Sequence, residues 1–238
     1  LEDVKDLPEK VVKEAVFGSQ FHTICSGGAY LNPDYIELFE RFGIQILQGY
    51  GMTECSPVIS TTVAWNVKKN SVGQLLPNCE AKTVDGELWV RGSSVMQGYY
   101  KMPEETKTAL KDGWLCTGDL GYVDDERFIY LTGRKKNLII TKNGENVSPE
   151  ELENKLSSSR LVQEVLVREA KGVIEAEIYP DEEYAKKQGL EREEEVRVEL
   201  QKLIDEYNQG APAYKKIYSL IIREKEFEKT ASRKIKRY

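Results

Sequence analysis

The sequence predicts a multidomain protein of mixed α/β and α+β class. Three observations lead to this prediction. The first fifty or so residues alternate helical and strand patterns around glycines, and the stretch after Val72 changes to short strands joined by hairpin turns. The last hundred or so residues follow the order helix, hairpin, helix, strand, which suits a small α+β domain. A chain of 238 residues is long enough to bury one or two such cores.

The α/β part is predicted from periodicity and from helix-boundary residues. Asn32 is a good N-cap, Pro33 suits the first helical turn, and Gly43 is a typical residue just beyond a helix end. The predicted order is a helix over residues 9–17, a strand over 21–25, the helix opened by Asn32, a strand over 44–47 and a glycine-rich turn over 48–51. This order is typical of an α/β layer whose strand ends form a ligand crevice.

The middle part is predicted to be a small barrel-like or distorted sheet. Asp85 and Gly86 are a strong two-residue hairpin signal between two runs of alternating residues. The predicted elements are a hairpin of 81–84 with 87–90, a helix over 103–110, and a second hairpin of 121–123 with 128–131.

The last part begins with a polar stretch, residues 135–137, which is a candidate hinge. We therefore predict two domains, 1–135 and 136–238, with the hinge near Lys136. Ser148, with Glu151 three residues later, has the pattern of a capping box. The predicted elements are a helix from Ser148, strands over 162–167 and 173–179, an amphipathic helix over 193–208 and a strand over 217–222.

Composition narrows the function classes. The net charge of −6 argues against a general nucleic-acid-binding surface, although basic residues gather in the last ten positions. No apolar run approaches the roughly 20 residues of a membrane-spanning helix, which leaves only peripheral membrane contact open. The four cysteines are widely spaced and accompanied by one histidine, a poor match to a structural zinc site. Reduced thiols in a cytoplasmic protein are the default expectation.

Four short stretches carry candidate chemistry. They read QGYGMTE at 48–54, WLCTGDLG at 114–121, GRKKN at 133–137 and TASRKIKR at 230–237. Glycines let a backbone approach a ligand, a tyrosine ring can stack on a purine, and a carboxylate can hold Mg²⁺ or ribose hydroxyls. Each stretch alone also has a structural explanation, as a strand-ending turn, an Asx turn or a solvated basic patch.

Together and in this order, the stretches resemble the adenylate-forming superfamily of acyl-CoA synthetases, peptide-synthetase adenylation domains and luciferase. Residues 26–29 (SGGA) resemble its adenine-contacting stretch, and 48–54 match its Y-G-x-T-E motif. Residues 86–92 (GELWVRG), followed by 98–106 (GYYKMPEET), are similar to its G-E-L and G-Y-x-x-x-P-E-x-T segments. Several motifs in register are far more specific than one.

The resemblance implies that the chain is the C-terminal part of the large AMP-binding domain followed by a mobile lid. The implied nucleotide-binding residues for ATP or AMP are Gly27, Gly28, Ala29, Tyr50, Gly51, Thr53, Asp119 and Arg134. Among these, Tyr50 would pack on adenine, Asp119 would bind the ribose hydroxyls and Thr53 would contact the α-phosphate.

Four further residues have implied roles in the reaction. Glu54 would help to hold Mg²⁺, and Lys136 would be the hinge residue. Gly144 would lie where the pantetheine arm of coenzyme A passes, and Lys234 would be the lid lysine that touches the α-phosphate during adenylation.

The implied activity is AMP-forming ligation of a carboxylic acid to coenzyme A. Residues 143–153 resemble the N-G-x-N-x-x-P-E-E-x-E form common in fatty acyl-CoA ligases, which favours a long-chain fatty acid. Two alternatives remain open: an amino-acid or aryl-acid adenylating enzyme, and a scaffold that binds AMP without catalysis.

Two departures from the family pattern bear on activity. Arg233 stands where the family has a glycine before the lid lysine, and arginine avoids some backbone angles that glycine reaches. The family's phosphate-binding loop has no counterpart in residues 1–238, so we expect negligible ligase activity from this stretch alone.

Overall fold

The computed structural model describes residues 8–231 and 233–237 and divides the chain into two units. The first unit ends at Leu131 and the second begins at Thr132. The mixed α/β and α+β class predicted from the sequence is confirmed by the fold.

The first unit opens with an α/β layer. Its elements in chain order are α1 (Glu9–Phe17), β1 (Thr23–Gly27), α2 (Pro33–Arg41), β2 (Gln45–Gly51), β3 (Val58–Thr61) and β4 (Gln74–Leu75). The four strands form one sheet in chain order, with β1 and β2 parallel and the remaining pairs antiparallel. Asn32 caps α2, since its side chain accepts a hydrogen bond from the Asp34 amide at 2.9 Å, as the sequence predicted.

The predicted glycine turn at 48–51 is wrong: these residues belong to β2. The close approach between β1 and β2 is made possible by Gly27, because a Cβ on this residue would lie only 3.0 Å from the carbonyl oxygen of Gly49.

A five-stranded sheet completes the first unit. Its elements are β5 (Cys79–Val84), β6 (Glu87–Gly92), α3 (Pro103–Ala109), β7 (Leu110–Lys111), β8 (Trp114–Val123) and β9 (Ile129–Arg134). The strand order is β5-β6-β8-β7, with β9 also paired to β8. The hairpin predicted at Asp85 and Gly86 is confirmed, and both residues have positive φ, at 49° and 80°.

The core of the first unit lies between residues of both sheets. Ile59 of β3 and Leu88, Val90 and Leu115 of the five-stranded sheet are almost completely buried. Each such side chain contributes about 2 kcal/mol through burial of apolar surface.

The second unit is a small α+β domain. Its elements are β10 (Ile139–Ile140), β11 (Asn146–Val147), α4 (Pro149–Leu156), β12 (Val162–Ala170), β13 (Val173–Pro180), α5 (Glu182–Lys187), α6 (Glu193–Gly210) and β14 (Ile217–Ile222). Strands β12, β13 and β14 form one sheet, and its apolar side packs with α4 and α6 through residues such as Leu152, Leu200 and Ile178.

Ser148 precedes α4 as predicted, but the predicted capping box is wrong. The Ser148 side chain makes no cap hydrogen bond. Its hydroxyl instead donates to Oε2 of Glu150 at 2.9 Å, and it leaves so little room that a Cβ on Gly133 would lie 2.0 Å from Oγ. The serine is therefore used for packing rather than for capping.

Candidate functional site

Two predicted nucleotide residues meet in the first unit. Tyr50 lies on β2 and Asp119 on β8, 69 positions later in the chain. The Tyr50 hydroxyl donates to Oδ2 of Asp119 at 2.7 Å, and both side chains are buried, at 8% and 4% exposed. The bond joins the α/β sheet to the five-stranded sheet, at the point where the 48–54 stretch meets the 114–121 stretch.

Asp119 is placed by a bulge in β8. Gly118 has φ of +71°, and the register between β6 and β8 shifts beside it, between Glu87 and Trp89. The Gly118 amide donates to Oε1 of Glu87 at 2.9 Å, and the Asp119 amide donates to Oγ1 of Thr117 at 3.1 Å. The isolated-turn explanation of this T-G-D motif is wrong, because the motif lies within a strand.

The glycine segments end at one edge of the α/β sheet. Because β1 and β2 are parallel, with Gly27 opposite Gly49, their carboxyl ends meet at this edge. Gly28 and Ala29 follow β1 directly and are exposed, and Gly51 closes β2. Ligands of open α/β sheets bind at the carboxyl ends of parallel strands.

Gly51 is required by a close approach of the chain. The Met52 amide donates to the carbonyl oxygen of Pro57 at 2.8 Å, which folds residues 52–57 back on the strand. A Cβ on Gly51 would lie 1.9 Å from that same oxygen. No other residue type fits without moving the segment that follows.

Thr53 and Glu54 follow at once in a 3-10 helix, Thr53–Cys55. Thr53 is exposed and Glu54 is half-buried. The Tyr99 hydroxyl donates to Oε1 of Glu54 at 2.8 Å, and the Met96 amide donates to the Glu54 carbonyl. This bond to Glu54 is the main cause that raises the pKa of Tyr99, so Tyr99 stays protonated and holds the carboxylate from one side.

Tyr99 is not among the site residues predicted from the sequence, although it lies in the 98–106 motif. The motif over 98–106 explains its placement: Oγ1 of Thr106 accepts from the Tyr99 amide at 2.8 Å and donates to the Met102 carbonyl at 2.7 Å. Gly98 leaves the room, since a Cβ there would lie 2.8 Å from Cγ2 of Thr106. The motif is thus a device that orients the partner of Glu54.

The other predicted site residues belong to the second unit. Arg134 ends β9 and is exposed, and Lys136 is exposed within a 3-10 helix, Lys135–Asn137. Gly144 lies in the turn between β10 and β11, with φ of +80° and open space around it. The convergence of these residues and Lys234 with the Tyr50–Asp119 pair stays a prediction.

Lys234 is exposed on a short turn near the chain end. The Thr230 amide donates to the Lys234 carbonyl at 2.8 Å, and the Lys234 amide donates to Oγ1 of Thr230 at 3.2 Å. Arg233 has φ of +59°, the left-handed region in which glycine is at ease. The arginine therefore adopts a backbone conformation that glycine reaches more easily, at a cost of about 1 kcal/mol.

Within residues 8–231 and 233–237, no group of three or more histidine, cysteine, aspartate or glutamate side chains could hold a metal, and the four cysteines are free. A magnesium ion that arrives with a nucleotide needs only one or two carboxylates besides phosphate oxygens. Glu54, oriented by Tyr99, fits that requirement. No helix in the described part of the chain is long and apolar enough to span a bilayer.

Two family models match the chain. Residues 2–100 match a model described as AMP-binding enzyme, and residues 136–238 match one described as AMP-binding enzyme C-terminal domain. A long-chain-fatty-acid–CoA ligase of Mycobacterium bovis is 39% identical over 171 residues, which cover 71% of this chain and 28% of the relative. The chain spans less than a third of the length of such relatives.

Solved structures show the same fold. The o-succinylbenzoate CoA synthetase of Bacillus subtilis, in complex with its acyl-adenylate intermediate, matches with a TM-score of 0.76 at 30% identity, over 90% of this chain and 44% of that one. The same synthetase in complex with ATP and a magnesium ion matches with a TM-score of 0.72 at 30% identity, over 90% of this chain and 45% of that one.

Proposed function

The chain belongs to the AMP-binding enzyme family, and we propose that it supplies the nucleotide site and the lid of an AMP-forming, long-chain fatty acid–CoA ligase. One observation carries the proposal. The hydrogen bond from Tyr50 to Asp119 puts the residue expected to contact adenine beside the residue expected to bind ribose. The two residues lie 69 positions apart, so neither motif alone implies that they meet.

The nucleotide would lie along the carboxyl edge of β1 and β2. Gly27, Gly28 and Ala29 line this edge from one strand, and Tyr50 and Gly51 line it from the other. When the ribose binds, the Asp119 carboxylate would accept hydrogen bonds from its hydroxyls while Tyr50 keeps it oriented.

In the first half-reaction, a carboxylate oxygen of the acid attacks the α-phosphorus of ATP, and pyrophosphate leaves with its electron pair. Thr53 would donate to an α-phosphate oxygen, and Lys234 would stabilise the charge that develops there. Glu54 would hold the magnesium ion, which neutralises phosphate charge when bound.

In the second half-reaction, the sulfur of coenzyme A attacks the acyl carbon and AMP leaves. Lys234 serves only the first step, and the thiol needs room for the second. A lid that turns about Lys136, with the pantetheine arm passing the open space at Gly144, would satisfy both needs. Arg134, which ends β9 just before this hinge, would contact the ribose and phosphate region.

The acid is proposed to be a long-chain fatty acid because several curated relatives at 37–39% identity carry that name. A second candidate, an aryl acid, is favoured by the match to o-succinylbenzoate CoA synthetase. The free cysteines fit a reducing, cytoplasmic setting.

The conformation of Arg233 argues against the scaffold alternative. That alternative rested on Arg233 distorting the loop that presents Lys234, but with Arg233 at positive φ the turn is still closed by hydrogen bonds between Thr230 and Lys234. We therefore propose that the site is catalytic.

The test is acid-dependent ATP–pyrophosphate exchange by the full-length protein, with palmitate, o-succinylbenzoate and 4-coumarate compared at equal concentration. We expect palmitate to support the fastest exchange and Asp119→Ala to abolish it. Preference for an aryl acid would support the second candidate. AMP binding without exchange for any acid would support the scaffold. With residues 1–238 alone we expect negligible exchange.

A further inference from the structure

An ion pair in the second unit joins Glu153, the last residue of the 143–153 stretch, to Arg237, the last residue of the 230–237 stretch. Nη1 of Arg237 lies 2.9 Å from Oε1 of Glu153, and Nη2 lies 2.5 Å from Oε2, a two-pronged contact. The Glu153 side chain is only 13% exposed and that of Arg237 is 20% exposed. Glu153 belongs to α4, and Arg237 follows Lys234 by three positions.

Glu153 is itself fixed. The Val167 amide of β12 donates to its Oε1 at 2.7 Å, and α4 is anchored in the core by the fully buried side chains of Leu152 and Leu156. Arg237 is therefore bound to a side chain that both α4 and β12 hold in place.

The same arginine reaches the segment that follows the domain boundary. Nη2 of Arg237 lies 3.4 Å from Oε1 of Glu150, in the first turn of α4. Glu150 also accepts hydrogen bonds from the Ser148 hydroxyl and from the side-chain amide of Asn137, the neighbour of Lys136. One chain of contacts thus runs from the predicted hinge through Glu150 to Arg237.

The turn that is closed by hydrogen bonds between Thr230 and Lys234 (the Lys234 turn) is also held on its other side. Lys229 pairs with Glu164 of β12 and with Glu226, and an isolated bridge links Lys229 to Ile235. The turn itself is closed by Thr230 and contains Arg233 at positive φ. The exposed lysine is therefore carried by a short loop whose two ends are each tied to the body of the unit.

We propose that Arg237 is a positioning residue for Lys234, locking the Lys234 turn to α4 and, through Glu150, to the segment beside Lys136. This inference rests on the proposed function, in which Lys234 contacts the α-phosphate. Because of the lock, the lysine turns with the lid as one body and arrives at a fixed place. A misplacement of about 1 Å in such a group can lower a rate by as much as about 100-fold.

The test separates the two half-reactions in the full-length protein. Arg237→Lys keeps the positive charge near Glu153 but cannot form the two-pronged contact, so the fold should survive. We expect acyl-adenylate formation to fall about tenfold or more, with kcat affected rather than the KM for ATP. Thioester formation from preformed acyl-adenylate and coenzyme A, which does not use Lys234, should change less than about twofold.

Lys236→Ala is the matched control, because Lys236 lies next to Arg237 and pairs with Glu228 on the surface. It should leave both half-reactions unchanged. Lys234→Ala gives the full loss of adenylation, and Arg237→Lys combined with Lys234→Ala should be no slower than Lys234→Ala alone, because the two residues act through one group.

A readout independent of activity accompanies the kinetics. Hydrogen exchange at the Thr230 amide, which is bonded to the Lys234 carbonyl, should accelerate in Arg237→Lys while exchange in β12 and β13 stays unchanged. Equal losses in both half-reactions, or unchanged adenylation in Arg237→Lys, would overturn the positioning role. Absence of acyl-adenylate formation in the wild-type protein, or full activity of Lys234→Ala, would instead overturn the proposed function.

Discussion

The two units hold their predicted site residues by different means. In the first unit, Tyr50 and Asp119 are buried, hydrogen bonded to each other and fixed by strand register. In the second, Lys234 is exposed, and ion pairs on both sides of its turn tie it down. The contrast suits the proposed roles, in which the nucleotide pocket is preorganised and Lys234 is carried in and out by the lid.

The contrast also predicts different sensitivities. A site built on buried packing depends on shape, whereas a site built on partly buried ion pairs depends on charge and pH. All three tryptophans, Trp65, Trp89 and Trp114, lie in the first unit, so their fluorescence follows that unit alone. Hydrogen exchange in β12 and β13 follows the second unit.

The largest expected effect on stability is that of Arg237→Ala. It leaves the Glu153 carboxylate buried without its partner, which should destabilise the second unit by about 3 kcal/mol. Lys236→Ala, which breaks only an exposed pair, should cost less than about 1 kcal/mol. Hydrogen exchange at β12 measures both, and tryptophan fluorescence should not respond to either.

This destabilisation should depend on pH. Burial raises the pKa of Glu153 above the usual carboxyl range even though Arg237 and the Val167 amide oppose the shift, and without Arg237 it should rise further. A raised folded-state pKa means that the folded state binds the proton more tightly than the unfolded state. The deficit of Arg237→Ala should therefore be largest above that pKa and shrink as pH falls through it. A deficit that grew on acidification would show that the pair does not behave as a buried charge.

A smaller effect is expected from Gly51→Ala, which tests shape in the first unit. Its Cβ would collide with the Pro57 carbonyl, so residues 52–57 must shift, at a cost of about 2 kcal/mol. Gly49→Ala, in the same strand, is the control, since a Cβ there would make only an ordinary contact, 3.8 Å from the Ser60 carbonyl oxygen. The loss of stability, measured from unfolding that is followed by tryptophan fluorescence, should be independent of pH between about 6 and 8. An unaffected Gly51→Ala would show that this segment is not held tightly.

Tyr50→Phe sharpens the comparison further. It removes one hydrogen bond to a buried carboxylate that has other contacts. The free energy of unfolding of the first unit should therefore fall by about 1.5 kcal/mol. AMP affinity should fall with it, because Asp119 loses its orientation. Unchanged affinity, measured by calorimetry, would show that Tyr50 does not orient the ribose-binding group.

The smallest effect is that of Arg233→Gly. It relieves the positive φ of the arginine but increases the freedom of the unfolded chain, so stability should rise by less than about 1 kcal/mol. Exchange at the Thr230 amide should slow slightly. A clear loss of stability would mean that the Arg233 side chain, rather than the backbone conformation, holds the turn.

Local chemistry predicted much of this fold. The cap at Asn32, the hairpin at Asp85 and Gly86, and the strand over 217–222 follow from signals within a few residues, and the structure confirms them. The helix α5 was missed because its six residues are too few for a clear apolar period.

The errors share a physical cause, which is competition from other groups that the folded chain brings close. Gly49 and Gly51 look like turn residues, but both lie in β2, and Gly51 is required there by the close approach of the Pro57 carbonyl oxygen. Ser148 looks like a helix cap, but Glu150 takes its hydroxyl. Tyr99 could not be assigned to the site from sequence, because its bond to Glu54 spans 45 positions.

The most direct test of the account is calorimetric titration of the full-length protein with AMP. We predict saturable binding that Asp119→Ala reduces by at least about tenfold and Lys234→Ala leaves within about threefold, because we assign Asp119 to the nucleotide pocket and Lys234 to the lid. Absence of AMP binding in the wild-type protein, or equal affinity in wild type and Asp119→Ala, would contradict the assignment of the Tyr50–Asp119 pair as the nucleotide site.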